Sequence, residues 1–293
     1  MFNIYGKYAE AKVFADICES EAQSQIYDLC NHPVYEGAKI RIMPDVHAGA
    51  GCTVGTTVAM KRRAVIPSIV GADIGCGVLT VVFKAGKIDF RALEDFIVGN
   101  IPSGMSVRER IHPKINKKLK NSIEELTDNL AMYRSLPAFL RSVGTLGGGN
   151  HYIEVGMTES GEYALSVHSG SRALGKCVAE YFQDLAKKYV FDNKITGINR
   201  AMPYIEGEDY DNYIRNMLVC ADMASENRRL IASDIISHIG GEVKDTFDTV
   251  HNYIETHKDG SITVRKGAVS AYKDQIIAVP LNMRDGVAVL RGK

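Results

Sequence analysis

The sequence lacks an excess of charge of either sign, because 35 Lys and Arg residues are balanced by 35 Asp and Glu residues. A globally basic surface, which would indicate nucleic-acid binding by the whole molecule, is therefore excluded. Any nucleic-acid partner would have to bind a local basic patch. The overall composition is ordinary for a globular protein, and 293 residues are enough to bury a sizeable core.

The six cysteines have no regular spacing and form no CxxC pair, which excludes the pattern of a disulfide framework. The N-terminal residues do not show the charged and apolar regions of a signal peptide, and no apolar stretch is long enough to cross a bilayer. We therefore expect a cytoplasmic protein without a membrane partner. In that reducing compartment a free cysteine can serve as a metal ligand.

The most informative stretch is the octapeptide GADIGCGV at residues 71–78, which lies between two apolar runs, 65–70 and 78–83. Both runs are typical of buried strands. Glycines let the backbone approach a ligand closely, and a buried Asp73 and Cys76 are costly unless something pairs with them. A divalent metal would do so. The alternative is a hairpin turn with a solvated Asp73 and an inert core thiol.

A second informative stretch contains three successive glycines, at 147–149, directly before Asn150 and His151. Such glycines leave backbone N–H groups available to cradle an anion, although the pattern is not a Walker loop. Predicted strands follow at 152–155 and 163–167. The second strand ends at His168, Ser169, Gly170, Ser171 and Arg172, a combination suited to phosphate or metal.

The remaining pattern alternates helices with strands and loops. We predict a strand at 38–43, a loop at 204–211, and helices at 10–30, 89–100, 123–141 (broken near Pro137), 173–189 and 212–239. Asp45 and His47 flank one residue, so an extended backbone points both side chains to one face. There they could bind a metal, a phosphate or each other. The alternative is that they only form hydrogen bonds with the loop backbone. The basic stretch 108–120 is either a surface for RNA phosphates or a solvated helix face.

Five ligand-type side chains lie beside glycine turns or strand ends: Asp73, Cys76, His151, His168 and His251. If the Cys76 thiolate were shared, they would form a binuclear site, in which Mn, Fe, Co and Zn are equally compatible with the ligands. Two metals stabilise the attacking and leaving oxygens of phosphoryl transfer. The alternative is that each histidine is a separate structural residue.

Five ordered segments resemble the RtcB family of RNA-splicing ligases: MPDVHAG (43–49), GADIGCGV (71–78), GGGNHYIEV (147–155), VHSGSR (167–172) and VHN (250–252). The helical segment 221–228 and the turn RKGA at 265–268 are also similar, so the resemblance covers about residue 40 to the C-terminus. It implies an α+β fold with mixed β-sheets around a central metal-containing cleft, with peripheral helices. One catalytic domain would span residues 1–293.

The resemblance also implies the ligands and the reaction. Asp73, Cys76 and His151 would hold one Mn²⁺ ion, and Cys76, His168 and His251 the other. The family uses GTP to join an RNA 2′,3′-cyclic phosphate or 3′-phosphate end to a 5′-hydroxyl end, through a covalent guanylate on a histidine. The residues implied at the nucleotide are Asn150, His151, Glu154, His251, Asn252 and Asn282. Those expected to contact RNA or phosphate are Asp45, His47, Arg172, Arg265 and Lys266.

One feature of the family has no match in this chain. The guanylate-accepting histidine of the family lies in a His-Gly-Ala-Gly-Arg motif, downstream of the segment similar to PLNMRDG at 280–286. His257 is the last histidine of the chain and has no such glycine context. We therefore expect a C-terminally incomplete domain that keeps the metal site, contains no identified catalytic nucleophile, and does not complete the GTP-dependent cycle.

Two other functions stay open at the level of the sequence. The first is a metal-dependent phosphoesterase that opens cyclic phosphates, with the metals activating water. The second is a non-catalytic module that binds RNA ends through the 108–120 patch. The physiological RNA, the metal in the cell, the oligomeric state and an activating protein partner are left open.

Overall fold

The computed structural model describes residues 1–282 and 284–293; Met283, part of the predicted 280–286 motif, lies outside the described residues. Helices alternate with several sheets, which confirms the α+β class. The chain divides into two compact units. Unit 1 comprises Met1–Ile74, Gly175–Leu218 and His251–Val269, and unit 2 comprises Gly75–Leu174, Val219–Val250 and Ser270–Lys293. The single catalytic domain over the whole chain stays a prediction.

Unit 1 contains a six-stranded sheet and a short two-stranded one. The strands of the large sheet, in spatial order, are β1 (Phe2–Tyr5), β2 (Glu10–Val13), β3 (Lys39–His47), β4 (Val54–Met60), β12 (Ile262–Lys266) and β11 (Asn252–Thr256). Only the β2–β3 pairing is parallel among the described strands of this sheet. The short sheet pairs β5 (Ala64–Val65) with β9 (Ile205–Glu206). The helices are α1 (Ser20–Cys30), α2 (Pro67–Val70), most of α6 (Arg172–Asp192) and the first part of α7 (Gly207–Ile239).

Unit 2 is built on a four-stranded antiparallel sheet. Its strands, in spatial order, are β10 (Glu242–Val250), β6 (Gly77–Lys84), β8 (Tyr163–Ser169) and β7 (Tyr152–Met157). A separate hairpin consists of β13 (Ile276–Asn282) and β14 (Gly286–Arg291). The helices are α3 (Phe90–Asn100), α4 (Lys117–Asn129), α5 (Leu136–Ser142) and the second part of α7, with a 3₁₀ turn at Tyr133–Ser135; unit 1 has another at Pro33–Tyr35.

The core of unit 2 covers one face of this sheet. Alternate residues of a strand point to the same face, and Leu79, Val81 and Phe83 of β6 join Leu165 and Val167 of β8 in one buried cluster. That cluster also contains side chains of α3 and of the second part of α7. The residues in between, His168 among them, therefore point to the opposite face.

Several predicted elements are confirmed. The predicted strands at 38–43, 78–83, 152–155 and 163–167 correspond to β3, β6, β7 and β8, and the helix at 89–100 is α3. Asp89 caps α3 as a carboxylate should, since its Oδ1 accepts hydrogen bonds from the N–H groups of Arg91 and Ala92. Among the described residues, no helix combines the length and apolar character needed to cross a bilayer.

Two predictions near the N-terminus are wrong. The apolar run 65–70 is not a strand throughout, because Pro67 begins the helix α2; proline suits the first helical position, where its missing N–H is not needed. The predicted helix 10–30 begins only at Ser20, since Glu10–Val13 forms β2 between two partner strands. Short apolar runs fit both periodicities, and strand pairing is not visible in a local pattern.

Two predictions in the middle of the chain also need correction. The helix predicted over 123–141 is two helices, because α4 ends at Asn129 and Ala131 adopts a φ of 54°. Pro137 lies in the first turn of α5, so it starts a helix instead of breaking one. The acidic loop predicted at 204–211 contains β9 and the start of α7. Glu208 and Asp209 occupy the first turn of α7, where negative charge stabilises the helix dipole.

Candidate metal centre

The antiparallel sheet of unit 2 brings three of the predicted metal ligands together. β6 and β7 both run antiparallel to β8, so the two segments that precede β6 and β7 lie at the end of β8. Cys76 directly precedes β6, His151 directly precedes β7, and His168 is the penultimate residue of β8. The register places His168 opposite Val78 and opposite Tyr152.

The distances among these three side chains fit a metal site. The Cys76 Sγ atom lies 3.2 Å from His168 Nε2 and 3.4 Å from His151 Nε2. All three ligand atoms lie within 4.8 Å of one another. Cys76 is 2% exposed and His168 is 7% exposed, so the group is largely shielded from water. A thiolate and imidazole nitrogens together suit Mn, Fe, Co or Zn.

A backbone hydrogen bond sets the tautomer of His168. Its Nδ1 lies 2.9 Å from the carbonyl oxygen of Asn150, which can only accept a hydrogen bond. In the neutral ring Nδ1 therefore carries the proton, and Nε2 presents a lone pair toward Cys76. This is the arrangement in which a metal-binding histidine is normally held.

Two hydroxyl groups lie buried in strands beside the cluster. Thr80 Oγ1 and Tyr152 Oη are inaccessible to solvent and have no hydrogen-bond partner among the described residues. By strand alternation, both side chains lie on the face of the sheet that carries His168. Burial raises the pKa of the Tyr152 hydroxyl to about 12. Buried polar atoms without partners are costly, so this face is suited to a polar ligand.

The glycine-rich loop is folded against Arg172. A Cβ atom on Gly147 would lie 2.1 Å from Arg172 Nη1 and 2.5 Å from His151 Nδ1, and its φ is 94°, so only glycine fits. Arg172 donates hydrogen bonds to Thr145 Oγ1 at 3.1 Å and to the Gly104 carbonyl at 2.6 Å. Gly148 and Gly149 are exposed.

Arg228 of α7 braces the backbone on two sides of the cluster. It is fully buried, and its Nη1 donates to the carbonyl oxygens of Gly75 at 2.9 Å and Ser169 at 2.6 Å, the residues next to Cys76 and His168. Its Nε and Nη2 form a bidentate pair with Asp248. Such a pair holds the guanidinium plane in one orientation.

Asn227 acts similarly on the loop that leads to the glycines. Its Oδ1 accepts from the N–H groups of Gly144 at 2.7 Å and Thr145 at 2.9 Å, and its Nδ2 donates to Thr145 O and Ser169 Oγ. Sequence reasoning did not assign roles to Asn227, Arg228 or Asp248. The available signal was the pair of adjacent polar residues in a long helix that otherwise buries apolar side chains.

Asp73 and His251, the other two predicted ligands, belong to unit 1. There the side chain of Asn252 contacts both residues: its Nδ2 donates to the Asp73 carbonyl at 3.1 Å, and its Oδ1 lies 3.2 Å from His251 Nδ1. Asn252 Oδ1 also accepts from the Gly267 N–H. Their role as metal ligands stays a prediction.

Comparison with known proteins identifies the lineage. The family model for the tRNA-splicing ligase RtcB matches residues 25–293. The chain belongs to the RtcB family. This confirms the resemblance read from the motifs and the assignment to the RNA ligase class of enzymes.

Named relatives include one bacterial and two archaeal proteins. The RNA-splicing ligase RtcB of Escherichia coli K12 is 29% identical over 306 aligned positions, covering 94% of this chain and 74% of the relative. The tRNA-splicing ligase RtcB of Archaeoglobus fulgidus is 25% identical, covering 92% and 69% of the two chains. That of Nanoarchaeum equitans is 28% identical, covering 79% and 61%.

The other residues predicted at the nucleotide in this RtcB-family chain have the following positions. Asn150 is exposed at the end of the glycine-rich loop, and Glu154 lies in β7, half-buried on the same face as His168. Asn282 is exposed in the β13–β14 hairpin of unit 2, where it accepts from the N–H groups of Arg284 and Asp285. Their contacts with a nucleotide stay predictions.

The residues predicted to contact RNA in unit 1 lie in the six-stranded sheet. Asp45 and His47 are exposed near the end of β3. Arg265 is buried and pairs with Glu255 at 2.7 Å. Lys266 is also buried, its Nζ donates to the Ala50 carbonyl at 2.7 Å, and burial lowers the pKa of its ammonium group.

The basic stretch 108–120 of the RtcB-family chain is not a uniform surface. Arg108 donates to Asp234 at 3.0 Å and to the Gly144 carbonyl at 3.0 Å. Buried His112 contacts the same Asp234, and α4 begins only at Lys117. The first part of this stretch therefore holds the fold, and the lysines from 114 onward are left as candidates for RNA phosphates.

Proposed function

We propose that this chain acts in a manganese- and GTP-dependent RNA ligation that joins RNA 2′,3′-cyclic phosphate or 3′-phosphate ends to 5′-hydroxyl ends. The observation that carries the proposal is the Cys76 sulfur within 3.2 and 3.4 Å of two imidazole nitrogens, in a chain of the RtcB family. Relatives named RNA-splicing ligase and tRNA-splicing ligase support an RNA substrate. A cytoplasmic location is part of the proposal.

The donor atoms support a transition metal. Cys76, His151 and His168 offer one soft sulfur and two nitrogens, and the buried hydroxyls of Thr80 and Tyr152 on the same face lack partners among the described residues. We propose that Asp73 and His251 complete the ligand sets of two ions. A divalent metal held there supplies Lewis-acid stabilisation for charge on phosphoryl oxygens.

The chain's own residues would orient the substrates. The exposed Gly148 and Gly149 suit a phosphate, since unobstructed backbone N–H groups bind anions. We propose that Asn150, Glu154, Asn252 and Asn282 contact the nucleotide. The residues that we propose to contact RNA or a phosphate are Asp45, His47, Arg172, Arg265 and Lys266.

The sequence contains no match to the histidine motif that accepts the guanylate in the family. We therefore propose that the chain supplies metal binding and RNA-end binding, and that it does not form the covalent guanylate by itself. With Mn²⁺ and radiolabelled GTP, we expect no label on the protein after denaturing electrophoresis. A stable label would show that another residue of this chain is the nucleophile.

The main test removes the shared sulfur. We expect the purified wild-type chain to retain Mn²⁺ or another transition metal after dialysis, and Cys76→Ser to lose it, because oxygen replaces the soft ligand. Metal content is measured by elemental analysis. Cys52→Ser is the matched control, since Cys52 is equally buried and its Sγ contacts Thr53 O and Thr56 Oγ1. Equal metal content in wild type and Cys76→Ser contradicts the metal centre.

The second arm tests the RNA end. With Mn²⁺, an RNA that ends in a 3′-phosphate should have a Kd at least roughly ten-fold lower than that of the same RNA with a 3′-hydroxyl. A ten-fold difference corresponds to about 1.4 kcal/mol of binding free energy. Cys76→Ser should abolish this preference and Cys52→Ser should keep it. No preference in the metal-loaded wild type contradicts the proposed substrate.

A second candidate function uses the same donor atoms of Cys76, His151 and His168. Hydrolytic opening of an RNA 2′,3′-cyclic phosphate needs a metal-activated water and no guanylate acceptor. The diagnostic product is a linear monophosphate end that forms with Mn²⁺ and without GTP. If the RNA ends bind but neither hydrolysis nor ligation occurs, the chain is an RNA-end-binding module.

A further inference from the structure

A cavity of about 660 Å³ lies in unit 1 at the C-terminal end of α6, where the helix gives way to residues 193–203. Three of its lining residues are cationic: Lys187, Lys194 and Arg200. None of the described residues that line it is an Asp or a Glu. This cavity is therefore a local basic site in a chain whose overall charge is balanced.

The same cavity has an aromatic wall. Phe191 lines it and leaves 81% of its surface exposed, although phenylalanine normally buries most of its area. The neighbouring lining residues Val190, Ile195 and Ile198 are also apolar. A large exposed aromatic ring among cations has an apolar face available to a flat, partly apolar ligand.

The walls of the cavity are held by hydrogen bonds of their own. The N–H groups of Lys194 and Ile195 donate to the carbonyls of Phe191 and Val190, at 3.1 and 3.0 Å, and so end α6. Asn199 donates to Asp28 Oδ2 at 2.8 Å and accepts from the Ala201 N–H at 2.9 Å. A ligand would therefore enter a preformed site.

We propose that this cavity binds a nucleotide of a single-stranded RNA segment, with the base stacked on Phe191 and the flanking phosphates at Lys187, Lys194 and Arg200. Aromatic stacking combined with a cationic rim is the usual means of binding single strands without sequence preference. The volume is within the range of small-ligand sites. The inference rests on the proposed function, because it takes the partner to be the RNA on which the ligase acts.

The exposed ion pair between Lys187 and Asp184 does not prevent Lys187 from binding an RNA phosphate. Lys187 pairs with Asp184 at 2.8 Å, and both side chains are largely exposed. Exposed pairs of this kind contribute little free energy, so a phosphate can replace Asp184 as the partner. An acidic peptide would also be attracted by the cations. It would gain nothing from the ring of Phe191, and this difference separates the two partners.

The test measures binding of a fluorescently labelled 12-nucleotide oligouridylate to the full chain by anisotropy, without metal or GTP. We expect Phe191→Ala to weaken binding by roughly 5- to 150-fold, which corresponds to the loss of one base stack, and Phe191→Tyr to restore it. The triple change of Lys187, Lys194 and Arg200 to Ala should lower the slope of log affinity against log salt by about 2, at about 0.7 per lost phosphate contact.

The chain offers close controls. Lys188 is next to Lys187 on the same helix but is not among the residues that line the cavity, so Lys188→Ala removes a positive charge outside it. Phe90 is 54% exposed and begins α3 of unit 2, so Phe90→Ala removes an exposed ring elsewhere. Both controls should bind like the wild type. Circular dichroism checks that each variant is folded.

Two results would overturn the inference. One is unchanged affinity in both Phe191→Ala and the triple variant. The other is an affinity that depends on the cations alone, with poly-glutamate displacing the RNA, which would assign the cavity to acidic peptides. Cys76→Ser should bind oligouridylate like the wild type in this metal-free assay. A failure of the proposed metal centre and a failure of the proposed RNA site at the cavity therefore give different results.

Discussion

Two buried histidines of unit 2, His168 and His112, make opposite use of their ring nitrogens. In His168 Nδ1 donates to the Asn150 carbonyl, which leaves the Nε2 lone pair directed at Cys76. In His112 Nδ1 accepts from the Lys114 N–H at 3.2 Å, so the proton of the neutral ring is on Nε2, which faces Asp234 at 3.1 Å. Both nitrogens of His112 are satisfied within the protein.

The difference gives a criterion for a candidate metal ligand, namely the tautomer of its ring. A histidine whose Nδ1 is protonated and bonded to a carbonyl, and whose Nε2 faces a thiol, is arranged as metal ligands are. A histidine that accepts a backbone N–H and donates to an acceptor is structural. His32 of unit 1 belongs to the second kind, since Nδ1 accepts from Val34 N–H and Nε2 donates to the Met202 carbonyl at 3.0 Å.

The largest expected effect comes from the brace behind His168. Arg228→Met should lower the free energy of unfolding by roughly 3–5 kcal/mol, because it leaves the half-buried Asp248 carboxylate without its ion-pair partner and removes a donor from two buried carbonyls. Urea unfolding measures it. Arg215→Met is the matched control, since Arg215 is exposed on the same helix and donates a hydrogen bond to Asn212, and should cost less than about 0.5 kcal/mol. Similar losses in both variants would show that Arg228 is not a brace.

The second prediction concerns the structural kind of histidine. Burial lowers the pKa of the His32 imidazole to about 4, with the Met202 hydrogen bond opposing this shift and the charge of Arg62 adding to it. Well above pH 6.5 the ring is neutral in both the folded and the unfolded state. As the pH falls toward 4, the unfolded state takes up the proton first, so up to roughly 3 kcal/mol of stability is lost.

The measurement for His32 is the unfolding free energy between pH 7 and pH 4. His32→Gln removes the titrating group, so its stability should fall less steeply over this window than that of the wild type. Parallel curves for the two proteins would mean that His32 does not titrate with a lowered pKa.

The third prediction replaces each of the two compared histidines, His168 and His112, by alanine. Loss of a residue that supports a metal ligand by a hydrogen bond typically weakens metal binding by roughly 10- to 100-fold. Because His168 is a proposed ligand itself, His168→Ala should weaken metal binding by at least this much. His112→Ala should leave metal affinity unchanged and cost roughly 1–3 kcal/mol of stability, because the Lys114 N–H and Asp234 lose a partner. Isothermal titration with Mn²⁺ and urea unfolding give the two readouts. If His112→Ala lost the metal instead, the tautomer criterion would be wrong.

The sequence predicted much of the sheet that carries the candidate site. Apolar runs and glycine turns indicated β6, β7 and β8, and the ligand types beside their ends indicated Cys76, His151 and His168. What brings these residues together is the antiparallel pairing of the three strands, and the partner residues of β6 and β8 are 80 to 92 positions apart. Pairing over such a separation is not encoded in a local pattern.

The parts that sequence reasoning missed depend on tertiary contacts. Whether Pro67 ends a strand or begins a helix is decided by the chain around it, and Pro137 shows the same ambiguity. Asn227 and Arg228 look like ordinary polar helix residues until their burial is known. Arg108 read as a surface cation because its partner, Asp234, lies 126 positions away.

Gly144 has its peptide groups fixed from two directions, since its N–H bonds to Asn227 and its carbonyl to Arg108. These two hydrogen bonds hold Gly144 in one orientation. The loop that follows can therefore vary in position only beyond Gly147. Residues added between Gly148 and Gly149 would leave the histidines where they are. Residues added between Gly144 and Gly147 would shift His151 away from the sulfur, so natural length variation in this loop is expected at its exposed tip.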